Sequence, residues 1–335
     1  MLAMSRWLSF NDLMAVQQLQ ARGVQLDLER AVLWPHSAMQ AVLAAHLPFS
    51  AVGAETIVQY SSASERARPL GFLQLRPRGG RPEADVVFIS PALDSGGDVV
   101  SIWYRLLAEC AKEIGSRGGQ RLFAQVASGN GVEEVFRQAG FIAYAHDDVF
   151  RLDALPSDLP QTPALRRQRV RDGWNLLRLY AEFAPRSVQI AEGMLSPQGQ
   201  GGKLGDWWDQ AGGAGYILQV DGDIAGAVRV RRSADAYWLR FWLHPQAEEY
   251  GESLVLGAFA LLRATPHRPI YCNVRDYESG LRGALDVIGF AHVQTRSLLI
   301  KHTTARVKEA RLKLMPALEK RPEPAHSAAP HNLNR

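Results

Sequence analysis

A chain of 335 residues, 47% of them apolar and 21% charged, carries core material for more than one domain, which excludes a disordered chain and a small disulfide-held module. Its two cysteines, Cys110 and Cys272, supply neither a disulfide framework nor a cysteine metal cluster, and a reducing compartment is expected. The formal charge of +4 is modest for the length, and residues 1–10 lack the apolar run and cleavage site of a secretory leader. With no apolar stretch long enough for a span, the cytoplasm is the expected location and no membrane partner is expected.

In chain order, residues 11–46 carry Leu, Met, Val and Ala at helical spacing, divided into shorter helices by Gly23 and by Trp34-Pro35. Strands are predicted at 56–60, 70–75 and 85–89, separated by polar and glycine-rich pieces at 61–68 and 76–81. A helix over 99–114 presents Ile102, Leu106, Leu107, Cys110 and Ala111 on one face and ends at Gly118-Gly119. A short strand at 121–126, a helix over 129–138 closed by Gly140, and strands at 141–144 and 149–152 finish the unit.

Pro156, Pro160 and Pro163 mark a linker. The order of elements then returns: a helix over 173–183, and a hairpin of 216–220 and 224–230 over Asp221-Gly222-Asp223. A strand at 237–243, a helix over 253–263, a strand at 269–274, a helix over 280–287 and a closing strand at 293–300 complete it. Beyond Leu314, four prolines among polar residues predict a mobile tail.

Two ordered similarities support an internal duplication. Gln138-Ala139-Gly140-Phe141-Ile142 parallels Val287-Ile288-Gly289-Phe290-Ala291, each after a short helix and before a strand. Phe88-Ile89-Ser90-Pro91 parallels Trp242-Leu243-His244-Pro245, each at the end of a strand that precedes a long helix. The expected domains are residues 1–153 and 167–303, with a linker over 154–166 and a terminal helix and tail over 304–335.

The order of three strands, long helix, strand, short helix, Gly-Phe and strand resembles the acetyl-coenzyme A dependent N-acetyltransferase superfamily, GNAT, over residues 50–153 and again over 167–302. The resemblance implies an α/β (α+β) fold of tandem domains, each a mixed, largely antiparallel sheet flanked by helices. It also implies acetyl-coenzyme A as cofactor, without a metal. The family's pyrophosphate signature, Gln or Arg, two residues, Gly, one residue, Gly or Ala, falls on Asp94-Ser95-Gly96-Gly97-Asp98-Val99 and on Glu248-Glu249-Tyr250-Gly251-Glu252-Ser253. Both copies keep the central glycine and both put an acid at the leading position. Backbone N–H groups at such a helix start can hold a diphosphate, while the acids also suit ordinary helix capping. The implied coenzyme residues are Gly96 and Gly97 in the first copy, and Leu243, Gly251, Glu252 and Ser253 in the second, which is favoured because Ser253 is smaller than Val99.

The family's acidic tyrosine, four residues before the Gly of Gly-Phe, is replaced by Phe136 and Leu285. Tyr277 is the substitute donor for a departing thiolate, or else a packed ring. His244 is a candidate proton acceptor, or a surface residue before Pro245. Trp238, Arg240 and Trp242 share one face of their strand and can line an acceptor site, or pack against a helix. Trp207 and Trp208 lie in the segment 187–208, with Gln189 and Glu192, where this fold builds an acceptor wall; packing between the copies is the rival role.

The leading expectation is therefore transfer of an acetyl group to the amine of a small molecule or peptide, by a monomer or homodimer. A binding or scaffold protein built from two degenerate copies is the alternative. Nucleic acid, through the arginines at 166–171, ranks third, because no aromatics interleave with them.

Overall fold

Glycine and proline punctuation cuts the apolar runs into short elements. The computed structural model describes residues 4–45, 53–61, 68–78, 81–156, 158, 160, 164–193, 213–263, 265 and 267–303. The predicted terminal helix and tail, and Trp207 and Trp208, lie outside the described residues.

The first half contains β1 (Met4–Trp7), α1 (Leu13–Leu19), β2 (Val24–Gln25), α2 (Leu28–Leu33), α3 (Ala38–Ala45), β3 (Glu55–Tyr60), β4 (Pro69–Pro77), β5 (Glu83–Ser90), α4 (Val99–Ser116), β6 (Arg121–Ala127), α5 (Gly131–Gln138) and β7 (Ile142–Leu152). The second contains β8 (Arg166–Arg167), α6 (Gly173–Phe183), α7 (Arg186–Ala191), β9 (Ala214–Val220), β10 (Asp223–Arg232), β11 (Tyr237–Leu243), α8 (Gly251–Leu262), β12 (Ile270–Arg275), α9 (Ser279–Ile288) and β13 (Ala291–His302).

One sheet runs through both halves in the order β1-β3-β4-β5-β6-β13-β7-β12-β11-β10-β9-β8, with β2 attached to β5 off this path. Among these pairings only β5 with β6 and β11 with β12 are parallel, so the sheet is mixed and largely antiparallel. Each half gives its last strand to the other. Strand β13 pairs with β6 of the first half, opposing Leu299 to Ala124, and β7 pairs with β12 of the second, opposing Phe150 to Cys272.

Helix α4 buries Trp103, Leu106, Leu107 and Cys110 against Leu75, Val86, Leu122 and Ala124 of the first half. Helix α8 buries Leu254, Val255 and Phe259 against Val228, Leu239 and Phe241 of the second. Large apolar side chains removed from water in this way contribute about 1.5–3 kcal/mol each. On the opposite face of β11, α6 packs Leu176, Leu179 and Tyr180 against Trp242. The two Gly-Phe elements close the short helices as the sequence predicts. Gly140 and Gly289 adopt φ of 84° and 98°, the left-handed geometry that ends a helix. Phe141 and Phe290 are buried behind them.

One predicted break is absent. Strand β7 runs unbroken where two strands with a gap are predicted. The polar residues at the supposed gap are held by the neighbouring chain: Asp147 pairs with Arg275 (2.7 Å), and Asp148 pairs with Arg282 (2.6 Å). Tertiary partners here outweigh the weak strand preference of aspartate.

Candidate active site

A parallel pair can stay together only as far as its hydrogen bonds reach. Strands β5 and β6 pair over Glu83–Val86, and β11 and β12 over Tyr237–Arg240. Beyond those points the strands part, and one edge of Val87–Ser90 and of Phe241–Leu243 is left facing a wedge-shaped gap. Backbone groups on such an edge require partners.

In the first half the chain fills the gap with its own β2. Val24 opposes Ile89 and Gln25 opposes Phe88. The Leu26 N–H donates to the Val87 carbonyl (2.9 Å), and the Ala92 N–H donates to the Arg22 carbonyl (2.5 Å). Gly23 is needed here, because a Cβ would lie 2.1 Å from the Phe88 ring. From β13, Arg296 donates to the carbonyls of Leu26 and Gln125, locking the plug to the far side of the gap.

In the second half no strand among the described residues lies on the corresponding edge of β11. A cleft opens there, lined by Leu243, His244, Phe183, Tyr277, Glu278 and Gly280, among others. The two long helices differ in the same sense. Asp98 caps α4 by accepting from the Ser101 N–H (3.4 Å), whereas α8 has no side-chain cap on its first turn.

The glycines at the helix starts have distinct roles. Gly96 and Gly97 have φ of 79° and 77°, with open space around them. Gly251 is buried, and a Cβ there would sit 3.2 Å from the Gly280 carbonyl oxygen, so it lets α9 approach α8 closely. Ser253 is half-buried and Glu252 exposed in the first turn of α8.

Several ionisable side chains meet beside this cleft, on the face of the sheet that carries α6 and α7. Arg275 at the end of β12 is buried between Asp147 (Nε to Oδ1, 2.7 Å) and Glu192 (Nη2 to Oε1, 3.0 Å). The Tyr180 hydroxyl donates to the other oxygen of Glu192 at 2.5 Å. Burial alone would raise the Glu192 pKa, but the charges of Arg275 and Arg240 with the Tyr180 hydrogen bond hold it below the usual carboxylate range. From the first half, Arg121 and Arg81 donate to the carbonyls of Ala191 (3.2 Å) and Glu192 (3.4 Å) at the end of α7. The first half thus fixes where Glu192 stands. Replacing Glu192 with Ala is expected to cost about 1–3 kcal/mol in urea unfolding, because it leaves the buried Arg275 with Asp147 alone of its two carboxylates and removes the acceptor of the Tyr180 hydroxyl. Glu192→Gln, which keeps an acceptor for Tyr180, is expected to cost less.

Glu278 has the opposite environment. Its carboxylate accepts from the Arg275 N–H (2.8 Å), and the side chain is buried at the cleft wall. Burial pushes its pKa up to about 7, the nearby Asp147 charge adding to the rise and the Arg275 hydrogen bond and the Arg240 and Arg275 charges opposing it. A carboxyl balanced near neutrality can take a proton from an ammonium group. Tyr277 beside it is half-buried, its ring 6.1 Å from that of Phe183. Burial, with Glu192 and Glu278 nearby, raises its phenol pKa against the opposing charge of Arg275, so it stays a proton donor.

The other predicted residues are placed as follows. His244 lies at the cleft, but its Nδ1 accepts from the Gln246 N–H (3.1 Å) and its Nε2 meets Glu182 (2.6 Å). Both ring nitrogens are engaged, and the ring caps the turn that leads into α8. Trp238 is buried, donates to Asn273 (3.1 Å) and stacks on Tyr271. Trp242 is fully buried between Tyr180 and Phe183. Both rings therefore pack the sheet face and offer no surface to an acceptor. Arg240, between them, is half-buried and adds its charge to Glu192 and Glu278. Among the described residues no group of His, Cys, Asp and Glu is arranged to hold a metal ion. Sequence reasoning passed over Glu278, which as an acid next to a helix start reads as a cap, and over Asp147 and Arg275. It named Glu192 only within a wall segment.

Solved structures with this architecture exist. A GCN5-related N-acetyltransferase from Sphaerobacter thermophilus superposes with a TM-score of 0.55, covering 90% of this chain and 96% of its own at 13% identity. A tandem GNAT protein from the clavulanic acid biosynthesis pathway gives 0.50, covering 91% and 99% at 15% identity. The fold is that of the GNAT acetyltransferases. No protein-family model matches the sequence. No curated protein matches it either. The GNAT likeness is thus carried by three-dimensional arrangement and not by sequence.

Proposed function

We propose that the chain is an N-acyltransferase built from two GNAT-like copies, residues 1–153 and 167–303, in which only the second copy works. The carrying observation is the contrast between the gaps: the first is filled by β2, and in the second no strand among the described residues follows β11 past its pairing with β12, beside a helix start without a side-chain cap. Acetyl-coenzyme A would supply the activated acyl group. The first-turn N–H groups of Glu252 and Ser253 would hold its diphosphate, and the stretch Phe241–Leu243, beyond the reach of the pairing with β12, would lie along its amide-bearing arm.

Glu278 takes the proton of the attacking amine, because its carboxyl is balanced between charged and neutral forms. Tyr277 keeps its proton through neutral pH and gives it to the departing thiolate. The Arg275 backbone N–H holds Glu278 and the Phe183 ring packs beside Tyr277, so orientation contributes alongside proton transfer. The acceptor is an amine on a small molecule or peptide.

Titration calorimetry with acetyl-coenzyme A is expected to give one equivalent bound per chain. Ser253→Glu in the first turn of α8 should abolish it, and Val100→Glu in the first turn of α4 should leave it intact. Two equivalents would remove the assignment to the second copy. No heat from folded protein at millimolar ligand would remove the enzyme reading and leave a binding protein.

A further inference from the structure

The start of α6 departs from what a solvated helix face requires. Val170 is 100% exposed and Trp174, one turn on, is 74% exposed, while Leu176, Leu179 and Tyr180 bury the opposite face. Arginines surround this apolar pair. Arg166 is held internally by Asp172 (2.8 Å) and Arg178 by Glu182 (3.2 Å), but the exposed Arg167, Arg169 and Arg171 carry no ion pair among the described residues. The N-terminal end of α6 adds its own partial positive charge.

We propose that this tip, Arg167, Arg169, Val170, Arg171 and Trp174, docks the protein on the surface of an anionic phospholipid bilayer. Charge complementarity brings the three exposed arginines to lipid phosphates and carboxylates. Tryptophan is the side chain best suited to the headgroup layer, and a valine wholly in water gains by entering it. A nucleic acid would use the same charge and could stack one indole, but it offers nothing to Val170, so the bilayer accounts for more of the patch. No span is involved: no described helix is long and apolar enough to cross a membrane. The expectation of no membrane partner rests on the absence of spans, and the proposal departs from it.

Sedimentation of the full chain with vesicles tests this. Partition onto phosphatidylserine-rich vesicles and not onto phosphatidylcholine alone is expected. Arg167→Gln with Arg169→Gln and Arg171→Gln should reduce that partition about a hundredfold, the combined share of three basic side chains at an anionic surface. Trp174→Ala with Val170→Ser should weaken it about tenfold or more while leaving the thermal midpoint unchanged, since both side chains lie in solvent. Wild-type protein that stays in the supernatant overturns the proposal, as does partition that survives both sets of changes. Salt-sensitive retention on single-stranded DNA, unaffected by Trp174→Ala and Val170→Ser and stronger than on vesicles, overturns it in favour of nucleic acid.

Discussion

A chain carrying Glu278→Gln is expected to lose acetyl transfer by about two to four orders of magnitude and to gain stability above neutral pH. Both effects follow from one buried carboxyl whose pKa rises from 4.5 to about 7 on folding. Below pH 4.5 the group is neutral in both states, and its contribution to stability is fully present. As pH rises from there to about 7, the unfolded chain releases the proton while the folded chain keeps it, so stability falls. The full loss is about 3 kcal/mol, from a shift of two to three units at about 1.4 kcal/mol each. Glutamine keeps the acceptor for the Arg275 N–H and has no charge to bury, so the variant should lack this part of the fall. Urea midpoints near pH 5 and near pH 8 measure the difference. In activity, the wild-type kcat/KM should climb as the carboxylate forms near pH 7, and the glutamine variant should lose that limb. Equal pH dependence of stability in the two proteins would place Glu278 in solvent and remove it as the base.

Much of this arrangement is legible in residues. Gly140-Phe141 and Gly289-Phe290 announce two equivalent helix ends, because only a left-handed residue closes such a helix and the following ring must be buried. Ser90-Pro91 and His244-Pro245 mark the ends of the strands that lead to α4 and α8. The alternation along Tyr237–Leu243 correctly separates the face under α8 from the face under α6. What it leaves open is depth: Trp238 and Trp242 share a face with Arg240, yet packing by α6 and by Tyr271 covers the two indoles.

The exchange of β7 and β13 is not legible, because both strands present alternating patterns that suit either edge, and choice of partner is a tertiary property. Strand β2, two residues long, gives no periodic signal. Its role follows only from the gap that it fills. Glu278 is hidden for a different reason: an acid beside a helix start has a sufficient local explanation as a cap, and only burial beside Tyr277 and Arg275 makes it a base.

Separated halves, cut within the proline-bearing segment 154–163, are expected not to fold alone but to assemble when mixed. The first half without β13 loses Leu298, Leu299 and Ile300 from between β6 and β7, all buried in the intact chain. At about 1.5–3 kcal/mol for each large side chain, this loss of about 5–9 kcal/mol is of the order of a whole domain's net stability. The second half without β7 loses Val149 and Phe150 from beside β12, and exposes the unpaired edge of a central strand. Circular dichroism of each fragment should show no cooperative melt, and a one-to-one mixture should recover it with a concentration-dependent midpoint. Acetyl-coenzyme A binding should return only with the mixture, because Asp147, Arg81 and Arg121, which hold Arg275 and the end of α7, belong to the first half. A second half that melts cooperatively as a monomer and binds the coenzyme would show the exchanged strands to be dispensable. The first half would then have no part in building the site, and its filled gap would be an inert remnant rather than the support on which the open one is placed.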